Sequence, residues 1–326
     1  MYRNENVKIR VDAAITSGQL HSNGSKLCVA TANKMVFVYD TNDGKLLLKS
    51  KLEKKVISVT FAGDVLLLGD KTGNVYVLKG NEDLELVLGH TASSILCMLY
   101  DSKNKLLLTG DREEKIRVSR FPTLSIIERF CFGHKSAITA MCSISDDSIV
   151  SSSKDGSIII WNHLQGRALQ RFDLDKDTFV SKLAYSPSTG ILAALTNVKV
   201  LRMYYKTKSG EFKLSNTIDL SFDCMDLVFI PITNFLLAVP LAPDSVRLYS
   251  VFIQDDRVKT EPDDSSKLFQ SLSQGWKCIE GSNAAEALSV RKVVEKTCVD
   301  SARTKRVMDE LRRKSTKRRK IQRDDE

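Results

Sequence analysis

The chain has 326 residues, of which 42% are hydrophobic, and carries a formal net charge of +9. These values exclude a small single-core domain and a disordered chain, and the basic excess favours an acidic partner, with nucleic acid first. The seven cysteines form no CxxC pair, residues 1–12 are polar, and no apolar run reaches the ~18 residues of a membrane span. We therefore expect a soluble intracellular protein without a zinc site or a disulfide framework.

Short apolar segments separated by turn signals fill the first 280 residues. Residues 36–39 and 46–48 flank Asn42-Asp43-Gly44, and residues 65–68 and 75–78 flank a turn that ends at Gly73. Alternating apolar runs on both sides of such turns are typical of β-hairpins. No helical pattern precedes residue 284.

An internal repeat organises these hairpins. Gly89-His90 recurs as Gly133-His134, and Asp111 recurs as Asp155, each 44 residues later. A period of about 40–45 residues with Gly-His and Trp-Asp-like signatures is typical of a four-stranded propeller blade. The sequence therefore predicts a WD-repeat β-propeller.

The clearest blade, residues 133–162, contains a set of polar side chains at fixed spacing. We predict that they form a buried hydrogen-bonded tetrad that links imidazole, hydroxyl, carboxylate and indole. The alternative is that the histidine and the aspartate are an acid–base pair, but the repeat spacing favours the structural role. The members of the predicted tetrad are His134, Ser153, Asp155 and Trp161.

Six blades can be counted directly, and we expect a seventh built from both ends of the chain. Val7–Val11 and Leu268–Glu280 are its candidate strands, because closing the ring removes exposed sheet edges. Asp255–Lys267 is polar and contains a proline, which predicts a loop. The predicted architecture is an all-β, seven-bladed propeller over residues 1–281, followed by a basic, partly helical extension over residues 282–326.

The C-terminal extension has two parts. Ala284–Val299 has helical spacing, and Ser301–Gln322 is rich in Lys and Arg with few apolar residues. Residues 314–320 resemble a nuclear import signal, which predicts a nuclear protein. The alternative is a generic solubilising tail.

The sequence has no pattern that indicates an active site. It lacks a Gly-rich nucleotide or adenosylmethionine loop and a nucleophile elbow, and two of its four histidines belong to the repeat. We therefore expect a binding or scaffolding module, not an enzyme, with no metal and no cofactor of its own.

Residues 110–119 carry dense alternating charge where a blade normally has a buried apolar strand. A shift of 44 residues aligns Glu114 with Ile158 and Arg117 with Trp161, so both charges fall on core positions. Unpaired buried charges are costly, which predicts an ion pair between Glu114 and Arg117. Lys115 would then face outward with Arg112 and Glu113 beside it. The alternative is a solvated blade edge.

Residues 107–119, LLTGDREEKIRVS, resemble the signature of the non-catalytic WD-repeat subunit of the tRNA guanine-N7 methyltransferase. Phe132-Gly133-His134 and residues 68–76 and 151–156 stand at the spacing of that family. The resemblance covers about residues 60 to 172. It implies a propeller that binds and stabilises a separate catalytic subunit.

The same resemblance implies a heterodimer in which the partner holds S-adenosylmethionine and methylates a guanine in the tRNA variable loop at N7. Lys115 would pair with an acidic residue of the partner, with Arg112 and Glu113 nearby. The competing expectation is a generic nuclear WD-repeat scaffold for chromatin or ubiquitin-ligase assembly. Basic residues of the tail that would meet tRNA phosphates are Arg312, Arg313, Lys317, Arg318, Arg319 and Lys320.

Overall fold

The computed structural model describes residues 11, 13–79, 83–90, 93–230, 235–240, 247–254 and 257–263, which form β-strands and no helix. The strands make six four-stranded antiparallel sheets, each from four consecutive strands. We call these sheets blades 1–6 in chain order. Their strands are β1 Ile15–Leu20, β2 Lys26–Thr31, β3 Met35–Asp40 and β4 Leu46–Lys51 in blade 1; β5 Val56–Ala62, β6 Val65–Asp70, β7 Asn74–Lys79 and β8 Asp83–Gly89 in blade 2; β9 Ile95–Asp101, β10 Leu106–Asp111, β11 Ile116–Arg120 and β12 Ile127–Cys131 in blade 3; β13 Ile138–Ser143, β14 Ser148–Ser153, β15 Ser157–Asn162 and β16 Arg167–Asp173 in blade 4; β17 Val180–Ser186, β18 Ile191–Thr196, β19 Val200–Lys206 and β20 Phe212–Asp219 in blade 5; and β21 Cys224–Phe229, β22 Phe235–Pro240, β23 Arg247–Gln254 and β24 Arg257–Pro262 in blade 6.

Burial differs between the inner and outer strands of each blade. All six residues of β10 and of β18 are buried, because neighbouring blades cover both faces of these strands. Such strands read as continuous apolar runs in the sequence. The outermost strand β16 is exposed or half-buried throughout, since only one of its faces meets the protein.

Adjacent blades pack through their side chains around a ring. The first strand of each blade packs on the first strand of the next, from β1 through β5, β9, β13 and β17 to β21. Blades 3 and 4 share a core in which Leu108, Ile116 and Val118 meet Ile138 and the fully buried Trp161. Among the described residues no comparable packing joins β21 to β1.

The predicted all-β propeller is confirmed in these six blades. The other predicted segments lie outside the described residues, apart from Val11, which packs against the core of blade 1. The seventh blade, the boundary at residue 281 and the basic extension therefore stay predictions.

The predicted loop Asp255–Lys267 is wrong for residues 257–262, which form strand β24. This strand is the outer edge of blade 6, where only Val258 needs to be buried. The other residues are exposed or half-buried, and all but Pro262 are polar, so their composition is that of a loop. The backbone amide of Val258 also donates to Ser215 Oγ of blade 5 at 2.6 Å.

Antiparallel strands in a ring place equivalent turns on the same side of the molecule. The turns between the second and third strands of blades 1 to 5 share one face with the connections from each blade to the next. We call this the upper face. The turns between first and second strands, and between third and fourth strands, lie on the opposite, lower face.

Candidate partner-binding site

Blade 4 holds a buried hydrogen-bond chain that starts at the indole of Trp161. Trp161 Nε1 donates to Ser151 Oγ at 2.7 Å, and His134 Nε2 lies 2.7 Å from the same hydroxyl. His134 Nδ1 lies 2.8 Å from Ser157 Oγ, which donates to Asp155 Oδ1 at 2.6 Å. A neutral imidazole protonated at Nδ1 satisfies every member of this chain.

The predicted tetrad is therefore wrong in one member. The hydroxyl between imidazole and indole belongs to Ser151, whereas Ser153 Oγ donates to the carbonyl of Ser136 at 2.9 Å. Ser157 was not predicted, and it stands between His134 and Asp155, whose closest atoms are 3.6 Å apart. The sequence signal that could have identified Ser157 is a hydroxyl residue two positions after the aspartate of the turn.

The acid-side stability of the propeller should depend on His134. Burial lowers the pKa of this imidazole to about 4, despite the opposing effect of Asp155. As the pH falls, His134 is therefore protonated near pH 6.5 in the unfolded chain but only near pH 4 in the native state. We expect unfolding free energy to fall by about 3 kcal/mol as the pH drops through this window.

Urea unfolding of the wild type and of His134→Gln at several pH values measures this contribution. Because the two proteins differ only at position 134, the difference between the two profiles isolates the contribution of His134. Burial raises the pKa of Asp155, but its hydrogen bonds outweigh that effect and lower the pKa. If the unfolding free energies of the two proteins changed in parallel with pH, His134 would not be the source of this acid sensitivity.

Blade 3 uses a related network to hold a highly charged turn. Asp111, only 1% exposed, ends β10, and its Oδ1 accepts from the backbone amides of Glu113 and Lys115, each at 2.9 Å. Its Oδ2 lies 3.1 Å from His90 Nδ1, and His90 Nε2 lies 2.7 Å from Thr109 Oγ1. Burial raises the pKa of Asp111, but these hydrogen bonds outweigh it and lower the pKa. The carboxylate is thus a fixed, ionised anchor.

Residues 112–115, which we call the charged turn, lie on the upper face between β10 and β11. Arg112, Glu113 and Glu114 are exposed, and the side chain of Lys115 is 44% exposed. Lys115 Nζ lies 3.7 Å from Glu113 Oε2. Glu114 has a φ of 71°, which a non-glycine residue adopts only when its surroundings enforce it. The anchor Asp111 supplies that constraint.

The predicted ion pair between Glu114 and Arg117 is wrong. Glu114 precedes β11 and points to solvent, and no ion pair joins it to Arg117 in the described part of the chain. Arg117 instead donates to Ser119 Oγ at 3.1 Å and to the carbonyls of Gly89 at 3.2 Å and Leu124 at 3.3 Å. Its pKa is lowered by burial. Arg117 therefore ties the end of blade 2 to blade 3.

The error arose from the register of the alignment. Leu107 pairs with Ser119 in blade 3, and Ile149 pairs with Trp161 in blade 4, so Ser119 takes the place of the tryptophan. The small serine side chain leaves room that the Arg117 guanidinium occupies. Blades 3 and 4 thus correspond at a shift of 42 residues, not 44.

An aromatic pair that sequence reasoning missed lies beside the charged turn. Phe132 is 64% exposed and stacks on Phe130, with ring centroids 5.2 Å apart. Cys131 pairs with Ile116, so Phe132 comes next to Lys115 at the upper edge of blade 3. Its position directly before the Gly133-His134 signature gave no hint of this exposure. The site combines an exposed cation with an exposed ring.

The remaining predicted residues fall elsewhere. The six basic tail residues proposed for tRNA, from Arg312 to Lys320, lie outside the described residues. Within the described ranges, no group of three or more His, Cys, Asp or Glu is placed to hold a metal ion. Nor does that part of the chain contain a helix with the length and hydropathy of a membrane span.

Comparison with solved structures supports the fold. The chain resembles the crystallised β-propeller domain of Cps50 (Swd1) from Myceliophthora thermophila with a TM-score of 0.62. The match covers 73% of this chain and 84% of that domain at 15% identity. At this identity the likeness concerns the propeller architecture alone.

Comparison with sequences is more specific. Relatives named as the tRNA (guanine-N(7)-)-methyltransferase non-catalytic subunit include wuho of Culex quinquefasciatus, 32% identical over 64% of this chain and 53% of that protein. The subunit wdr4 of Dictyostelium discoideum is 32% identical over 49% of this chain and 40% of its own length. The chain thus spans about half the length of the curated relatives it matches. A family model described as the tRNA methyltransferase TRM82 WD40 domain matches residues 79–250, more than half of the chain. The chain therefore belongs to the TRM82 WD40-domain family.

Proposed function

We propose that this chain is a non-catalytic scaffold subunit that binds and stabilises a separate tRNA guanine-N7 methyltransferase as a heterodimer. Membership of the TRM82 family and the names of the relatives support this role. In this proposal the partner holds S-adenosylmethionine and performs the methyl transfer. The propeller helps to position tRNA for N7-methylguanosine formation in the variable loop, and the complex acts in the nucleus.

The charged turn is the observation that carries the proposal. A buried carboxylate and a buried imidazole hold its backbone, so its side chains project from fixed backbone positions. Such preorganisation lowers the entropic cost of binding. Within the described residues, the only ion pair of Lys115 is the exposed one with Glu113, at 3.7 Å. Exposed pairs contribute little, so Lys115 can exchange Glu113 for a carboxylate of the partner at small cost.

Reconstitution with the tRNA guanine-N7 methyltransferase of the same genome tests the proposal. We expect the two chains to co-elute in size-exclusion chromatography, and N7-methylguanosine to form faster with the complex than with the catalytic chain alone. Failure to form a complex would contradict the proposal. Capture of chromatin or ubiquitin-ligase components without a methyltransferase would instead favour a generic nuclear scaffold.

Phe132 should contribute to the same interface. Exposed aromatic side chains beside a fixed charge are typical of residues that dominate binding energy. We expect Phe132→Ser to weaken binding of the catalytic partner about tenfold while the melting temperature stays near that of the wild type. Isothermal titration calorimetry measures the affinity.

Leu214→Ser is the matched control, because Leu214 is a 46%-exposed apolar residue on the outer strand of blade 5. It should leave partner binding unchanged. Equal losses for both variants would show that surface apolarity in general, and not Phe132, supports the complex.

A further inference from the structure

The upper face of the propeller carries a recurrent basic residue. In blades 1 to 5, every turn between the second and third strands contains an exposed lysine or arginine. The corresponding turn of blade 6 lies outside the described residues. The recurring residues are Lys34, Lys71, Arg112, Lys154 and Lys199.

Most of these cations form no ion pair with a carboxylate. Among the described residues, Lys34, Lys71 and Arg112 form no ion pair, and Lys154 lies over the ring of Phe179 at 5.9 Å. Only Lys199 is neutralised, by Asp223 at 3.0 Å. Like charges that stay unpaired on one face repel one another, and a bound polyanion removes that repulsion.

The lower face has no such pattern. Three of its described turns contain lysines, and in two of these turns an acidic residue lies two or three positions from the lysine. Lys45 lies two residues from Asp43, Lys208 lies near Glu211, and Lys103 pairs with Asp146 at 2.5 Å. Counted together with their acids, the upper-face turns of blades 1 to 5 hold six basic and three acidic residues, whereas the described lower-face turns hold four basic and five acidic residues. The positive excess therefore belongs to the upper face, which also bears Lys115.

We propose that these upper-face lysines form a binding surface for the phosphate backbone of RNA. Blades related by rotation place them around the face at repeated intervals, which suits a polyanion that extends across several blades. Such contacts need positive charge and reach but no base recognition. This inference rests on the proposed function, because a catalytic subunit docked at the charged turn would share the RNA with this surface.

The test compares two triple variants of the full chain in complex with the catalytic subunit. Lys34→Gln/Lys71→Gln/Lys154→Gln removes three upper-face charges and leaves the charged turn intact. Lys45→Gln/Lys105→Gln/Lys208→Gln removes three exposed charges from the lower face. The sets match in backbone strain as well as charge, because Lys34 and Lys105 both have positive φ, 69° and 53°.

Fluorescence anisotropy with an in vitro transcribed tRNA measures affinity between about 50 and 200 mM salt. We expect the upper-face variant to bind about tenfold more weakly, with the slope of log K against log salt reduced in magnitude by about two. The lower-face variant should behave like the wild type. Equal losses in both variants would overturn the proposal.

Co-elution of the catalytic subunit is recorded for the same samples. If the upper-face variant keeps its RNA affinity but loses the subunit, the surface binds an acidic protein and the proposal is wrong. If the wild-type chain forms no complex, the proposed function fails. The same two variants, measured as the chain alone, then still decide whether this face binds RNA.

Discussion

Reversal of the charge at Lys115 should separate the two subunits while leaving the propeller folded. In Lys115→Glu, the expected attraction to an acidic partner becomes repulsion, and Glu113 and Glu114 add to it. Breaking a close interfacial charge pair costs about 2–5 kcal/mol, so we expect affinity to fall at least about 30-fold. The backbone amide of residue 115 still donates to Asp111, so the turn keeps its shape.

Lys45→Glu is the control, since it makes the same charge change at an exposed position of the lower face. Titration calorimetry and thermal unfolding of both variants give affinity and stability separately. Normal binding by Lys115→Glu would exclude the charged turn as the docking point. A reversed acidic residue on the catalytic subunit that restores binding to Lys115→Glu would identify the partner of Lys115.

The repeat was readable from sequence because blade strands are short apolar runs with fixed turn chemistry. The exact register within a blade was not. His90 reaches Thr109 across 19 residues, whereas His134 reaches Ser151 across 17, so counting from the histidine misaligns the strands by two. A shift of two keeps every side chain on its face of the sheet but changes its neighbours.

The two-residue shift explains which predicted positions agree with the structure and which do not. Lys115 was placed at the surface in either register, and the structure has it there. The partner of Arg117 depends on the register, and so does the hydroxyl next to His134. The exposure of Phe132 depends on how blade 3 packs against its neighbouring blades, and no local sequence pattern predicts that packing.

Asp111 should couple stability to partner binding, and blade 2 offers an internal control. Asp70 ends β6 as Asp111 ends β10, is also buried, and accepts from the amides of Thr72 at 2.8 Å and Asn74 at 2.9 Å. Replacing either aspartate by alanine leaves turn amides without their acceptor. We expect each change to lower unfolding free energy by about 2–3 kcal/mol.

Only Asp111→Ala should also weaken the heterodimer. Without the carboxylate, the amides of Glu113 and Lys115 on either side of Glu114 lose their acceptor. Only the backbone hydrogen bonds from the amides of residues 111 and 112 then hold the charged turn, so it samples more conformations around the positive φ of Glu114. Partner binding must then pay the ordering entropy of this turn, about 1–2 kcal/mol per residue fixed, which predicts a loss of at least tenfold in affinity. Urea unfolding and titration calorimetry of both variants measure the two effects. Equal affinity losses in Asp70→Ala and Asp111→Ala would mean that global destabilisation, and not the shape of the charged turn, governs the complex.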